Sequence, residues 1–350
     1  MGNRRNSNIE LARIICMVGI VLFHLSRFDS WRLYKDGLGV WQIGAFLFSA
    51  WGCAFVSCFI AISAWFLYGA SNKKLEFKKV RSLLIEVTFV AAVTLVIKYI
   101  AGEPVGIKQI IKCMFSAVDG TYWYVLCYVV LLLVYPMLNM LIDMLNKENH
   151  ARTCFFLGGG LCCELLFAGA AECLGAITLF VLVYFVTAYM KKYRESFMFT
   201  RAKAILIVSF LGVVLLGIVM RVLIHDGEKF VGVYNLKLIN RYSPFMFLNG
   251  VSLFATIIKQ KSFYSKAVNW ISKYSFGIYL IHANCCTAWV TIFGITNAYV
   301  TGKQDFIGRF LLMVLAIIFL GITADMLAKA LVNKVERFQI KIALKMNDAC

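Results

Sequence analysis

Arg13 and His24 are the two residues of this chain whose types and spacing best suit group transfer. They are eleven positions apart. On a helix, eleven steps of ~100° fall within ~20° of three full turns, so both side chains point the same way, ~16 Å apart along the axis. A histidine can act as a base or as a nucleophile near neutral pH. An arginine can grip a phosphate or stabilise charge developing on a carbonyl oxygen. Glu10 stands three residues before Arg13 and is placed to pair with it. Taken singly, Arg13 also reads as a snorkelling interfacial arginine and His24 as a hydrogen-bonded core histidine. Their shared face favours a joint role.

The composition says what kind of helix carries them. Of 350 residues, 61% are hydrophobic and only 15% charged. Soluble chains are typically ~45–50% apolar and ~25% charged. The expected class is therefore all-α, a polytopic membrane protein of about ten transmembrane helices forming one domain over residues 1–350. Candidate spans lie near 9–28, 45–69, 83–101, 122–145, 153–170, 174–190, 204–224, 243–258, 270–293 and 307–328. The three prolines fit a mostly helical chain. Charges at Glu10 and Arg13 mark the first span as structure rather than a cleaved signal.

The net charge of +18 reads mostly as orientation. With ten spans, 23 Lys and Arg residues fall on the side of the termini and 12 on the other. The positive-inside rule makes both termini cytoplasmic. No groove-reading element is visible, so nucleic acid is not an expected partner; the lipid bilayer is. The twelve cysteines lie mainly in or beside spans, without metal-ligand spacing, and read as small buried residues. No metal is expected.

Other polar residues fall within the spans. His282 closes YSFGIYLIH (274–282). Glu86 and Glu164 are intramembrane carboxylates, either proton-handling groups or partners of nearby cations. Asp143 and Asp325 lie nearer span ends and read as solvated. His150 and His225 fall in loops. Tyr122, Trp123 and Tyr124 open the fourth span, as an interfacial aromatic belt or as rings for stacking on a sugar.

Several of these pieces together resemble the bacterial acyltransferase 3 family. RNSNIELARIICMVGIVLFHL (5–25) looks like that family's start, with its Arg-x10-His pair at Arg13 and His24. FIAISAWFLYG (59–69) resembles its second-span segment, with Ile60 and Ala64 departing from the usual Phe and Gly. Lys78 and Arg81 sit where the family often has Arg-x-x-Arg. WYVLCYVVLLLVYP (123–136) and YSFGIYLIH are similar to its fourth-span and late motifs.

The resemblance implies a multi-pass enzyme of the bacterial plasma membrane that moves an acyl group, usually acetyl, from cytoplasmic acyl-CoA to a hydroxyl. The acceptor would be an extracytoplasmic or lipid-linked carbohydrate. Acetyl-CoA would be a donor substrate, with no permanently bound cofactor. Arg13 and His24 would be needed for activity. Arg13, Lys78 and Arg81 are the expected donor-binding residues, with Lys73, Lys74 and Lys79 beside them; the lysines and Arg81 read equally as a cluster attracted to anionic lipid head groups. Tyr122, Trp123, Tyr124 and His282 are the expected acceptor-binding residues. Many relatives carry an added periplasmic domain, and none is expected here. Two rival functions remain: a transporter or flippase for a glycan or lipid-linked sugar, and a non-catalytic subunit of a polysaccharide synthesis complex.

Overall fold

The computed structural model describes residues 6–27, 46–69, 77–166, 172–295 and 306–347. These residues form helices and connecting turns, without strands. In chain order the helices are α1 (Ser7–Arg27), α2 (Ala54–Leu67), α3 (Phe77–Ile100), α4 (Ile107–Met114), α5 (Trp123–Met144), α6 (Lys147–Leu166), α7 (Glu172–Lys192) and α8 (Phe197–Thr200). They continue with α9 (Ala202–Leu223), α10 (Gly227–Lys237), α11 (Pro244–Ile258), α12 (Lys266–Lys273), α13 (Phe276–Ala283), α14 (Cys286–Ile292) and α15 (Phe306–Asn347).

Seven stretches of the described residues are long and apolar enough to cross a membrane: six lie in α1, α3, α5, α7, α9 and α15, and the seventh is Phe46–Leu67, which ends in α2. They correspond to seven of the ten expected spans. The other three differ. The fifth expected span is α6, which carries Lys147, Glu148, Arg152 and Glu164. The eighth, α11, is apolar but only 15 residues long. The ninth is not one helix: it breaks into α12, α13 and α14 at Tyr274–Ser275 and Asn284–Cys285. Serine and asparagine compete locally for backbone hydrogen bonds, which favours such breaks.

Two compact units are present: Met1–Leu75 with Cys127–Ser272, and Glu76–Leu126 with Lys273–Cys350. At the centre of the first is α2, packed against α1, α7 and α11. Its sequence, AFVSCFIAISAWFL, is apolar all round, and most of its side chains are buried. Gly250 lets α11 approach closely, because a side chain there would collide with the Ala54 carbonyl oxygen. By contrast, α9 points Val208, Leu215, Val219 and Val222 outward, as a lipid-facing helix must.

His150 is not in a loop. It is buried in the first turn of α6, its Nε2 3.0 Å from the Phe185 carbonyl oxygen and its ring edge-on to Tyr189. Burial holds its pKa below the ordinary value of 6.5. The folded state therefore resists protonation that the unfolded chain accepts.

In the second unit, α13 packs on α15 and α3. The crossing is glycine on glycine: a side chain at Gly277 would collide with the Gly321 carbonyl oxygen and meet Cβ of Asp325 at 2.6 Å. At 42 residues, α15 runs unbroken well past the expected span end at residue 328. Its length, ~63 Å, is about twice the hydrocarbon thickness of a bilayer.

Two measurements test this packing. Gly277→Ala is expected to lower the unfolding temperature in detergent sharply. Gly158→Ala, with nothing within 4 Å of its Cβ position, is expected to leave it unchanged or raise it. Stability is also expected to fall as pH drops below about 6.5, where the unfolded chain's histidine gains its proton. His150→Phe is expected to flatten that fall.

Candidate active site

Arg13 and His24 lie on one uninterrupted helix, so their common face is real in three dimensions. Arg13 keeps a quarter of its side chain exposed, while Glu10 is buried at 2%. Glu10 Oε2 accepts hydrogen bonds from Arg13 at 3.4 Å and from the Ser272 hydroxyl at 2.5 Å. The Arg13 guanidinium lies 5.3 Å from the Phe66 ring centroid. One hydrogen bond leaves most of its five donors for a ligand. His24 is half-buried, its ring 5.9 Å from that of Phe23.

The start of α1 is fixed by a polar collar. Asn8 Nδ2 donates to the Gln260 and Lys261 carbonyls at 3.2 and 3.0 Å. The Ser7 hydroxyl donates to Asn269 at 3.0 Å and accepts from the Ser265 amide at 2.8 Å. These bonds fix the start of α1, the helix that carries Arg13 and His24, against residues 260–269.

The other expected residues that the structure describes belong to the second unit. Lys78 is exposed and bridges to Glu336 at 3.1 Å; Arg81 is exposed on the same first turns of α3. Lys73 and Lys74 lie outside the described residues. Tyr122 is buried, its hydroxyl donating to the Leu280 carbonyl at 3.1 Å. Tyr122 and Tyr124 stand edge-on to Tyr279 at 6.2 and 5.7 Å. His282 is fully buried, with Nδ1 2.6 Å from the Ile278 carbonyl oxygen of its own helix. Of these four, only Trp123 is more than marginally exposed. Tyr122, Tyr124 and His282 thus meet around Tyr279, packed against protein.

The family model described as an acyltransferase domain matches residues 6–326. The chain belongs to the acyltransferase 3 family. No curated protein and no solved structure matches it. Family membership makes it a membrane acyltransferase, and the seven long apolar helices make it multi-pass.

Two clusters in this acyltransferase escaped the sequence reading. In the second unit, Asp325 is fully buried rather than solvated, because α15 continues past it and it lies against the glycine crossing. Lys329 bonds Asp325 at 2.7 Å and stands 3.8 Å from Glu86. It also donates to the Lys273 carbonyl at 2.7 Å. The i,i+4 spacing of Asp325 and Lys329 was the available signal. In the first unit, lysines turn inward onto helix ends. Lys191 donates to the Trp65 and Tyr68 carbonyls, both at 2.7 Å. Lys192 reaches the Ile142 and Leu145 carbonyls, both at 3.1 Å. Lys259 reaches those of Phe199 and Thr200 at 3.1 and 2.9 Å. No periodicity announces such contacts. Among the described residues, no group of acidic, His and Cys side chains is arranged to hold a metal.

The Glu86–Asp325–Lys329 cluster has one cation facing two carboxyls. Lys329→Met leaves both carboxyls buried without it and is expected to cost about 3–5 kcal/mol of stability. Asp325→Asn leaves Glu86 to pair with Lys329 and is expected to cost less than half of that. Chemical denaturation of the two variants in detergent compares them.

Proposed function

We propose that this acyltransferase moves an acyl group, acetyl in the first instance, from cytoplasmic acyl-CoA to a hydroxyl of an extracytoplasmic or lipid-linked carbohydrate. It would work in the plasma membrane of a bacterium, with both termini on the cytoplasmic side. The observation that carries this reading is α1 itself. One unbroken helix presents a partly exposed arginine near one end and a half-buried histidine ~16 Å further along the same face. That separation suits a donor arriving from one side of the membrane and an acceptor from the other.

The roles follow from the chemistry. Arg13, anchored by Glu10, binds the donor through donors not spent on that anchor. His24 accepts the proton of the acceptor hydroxyl as its oxygen attacks the thioester carbon. The new C–O bond forms, the C–S bond breaks, and the leaving thiolate takes the proton from the imidazolium. Protons and charge balance with no other reactant. An acyl-histidine relay uses the same atoms in two steps. Tyr122 and Tyr124 are engaged with Tyr279, and Trp123 stands edge-on to Tyr124 at 6.0 Å.

Purified protein in lipid, given acetyl-CoA labelled in the acetyl group and a bacterial glycan extract, is expected to transfer label to the extract. His24→Ala is expected to lower that transfer by at least about a hundredfold, the usual scale of general-base catalysis. It is expected to insert and express as the wild type does. Arg13→Lys is expected to lose about tenfold, since an ammonium cannot reproduce the planar grip of a guanidinium. Substrate movement without label transfer would favour a transporter instead.

A further inference from the structure

The loop between α7 and α8 carries an arginine in an unusual setting. The Arg194 guanidinium lies 4.5 Å from the Trp65 ring centroid and 5.0 Å from that of Phe199. Two aromatic rings therefore hold it, while the residue remains exposed. Lys191 stands 5.3 Å from the Trp65 ring and Lys259 5.6 Å from the Phe199 ring, so the cluster gathers three cations around two rings. Acids are committed elsewhere: the neighbouring Glu195 is bound to Lys147 at 2.9 Å, and Glu10 to Arg13 and Ser272. The two lysines donate to helix-end carbonyls. Among the described residues Arg194 makes ring contacts alone, and none of them takes up its hydrogen-bond donors.

Such a guanidinium is pre-organised for a phosphate. Ring contacts fix its plane without using its N–H edges, and those edges match two phosphate oxygens at once. Its position also fits the donor. Arg194 covers Trp65, and Arg13 covers the next residue of α2, Phe66. Both arginines thus sit at the same end of α2, within one unit.

We infer that Arg194, clamped between Trp65 and Phe199 and flanked by Lys191 and Lys259, is a phosphate-binding site for the nucleotide end of the acyl-CoA donor. The inference rests on the donor proposed above and names the residues that hold its phosphates. The same chemistry would also bind the phosphate of an anionic lipid headgroup, so a test must separate the two sources.

The full chain is reconstituted in nanodiscs of phosphatidylcholine, with and without phosphatidylglycerol, and titrated calorimetrically with coenzyme A and with pantetheine, which lacks phosphates. Arg194→Gln keeps a planar group between the rings and removes the charge. It is expected to weaken coenzyme A binding about tenfold to a hundredfold, as the loss of charge-assisted hydrogen bonds would, and to leave pantetheine binding unchanged. Phe199→Leu, which loosens the clamp, is expected to weaken coenzyme A binding by a smaller factor. Wild-type-like coenzyme A affinity in both variants would overturn the site while leaving the proposed reaction standing. Failure of the wild type to bind coenzyme A in either nanodisc would overturn the donor reading itself, and the site with it. Coenzyme A binding that phosphatidylglycerol alone abolishes, with no change on Arg194→Gln in phosphatidylcholine, would assign the cluster to lipid and also overturn the inference.

Discussion

A helix leaves the carbonyl oxygens of its last turn with no partner along its own axis. The rest of this structure depends on how that is solved. Lys191 closes the end of α2, Lys192 that of α5, Lys259 that of α8 and Lys329 that of α12. An ammonium suits this work. It carries three donors on a flexible stem and meets the negative end of the helix dipole. Asn139 also donates to the end of α2, bonding the Leu67 carbonyl at 3.1 Å. The end of α2 is thereby pinned, and α2 is the helix against which α1 packs.

Pinning α2 and α1 has a chemical consequence. The reading of Arg13 and His24 as one device needs α1 to be continuous and fixed in height. Continuity follows from a stretch without Pro between Ser7 and Arg27. Height follows from Ser7 and Asn8, which tie the first turn to residues 260–269, and from Glu10, which ties Arg13 to Ser272. A buried carboxylate so engaged adds little to net stability. Its effect is to hold one guanidinium in place.

Much of this was legible beforehand, and the limits have physical causes. The phase of Arg13 against His24 and the pairing of Glu10 follow from helical periodicity, which relates residues on one helix. Seven span positions follow from hydropathy, which asks only for length and apolarity. Periodicity is silent about partners on other helices. Hence Asp325 read as solvated although α15 continues and buries it, and His150 read as a loop residue although α6 begins before it. The charge count placed Lys191, Lys192, Lys259 and Lys329 on one side of the membrane. It could not show that their ammonium groups turn back onto carbonyl oxygens. The aromatic segment at Tyr122–Tyr124 read as a surface belt or sugar platform. Tyr279, 155 positions further on than Tyr124, engages two of its three rings instead.

The cations of the first unit are held in two ways. Lys191, Lys192 and Lys259, and Arg221 at the end of α9, donate to carbonyl oxygens. Arg13 and Arg194 instead lie over Phe66 and Trp65, neighbouring residues of α2. A ring face attracts a flat, weakly hydrated cation without consuming its hydrogen bonds. Stacking therefore orders an arginine and leaves its edges able to bind, whereas capping orders a lysine by occupying its donors. Arg13 and Arg194 are thus ordered by rings at the end of α2, where Lys191 is ordered by the carbonyl oxygens it closes.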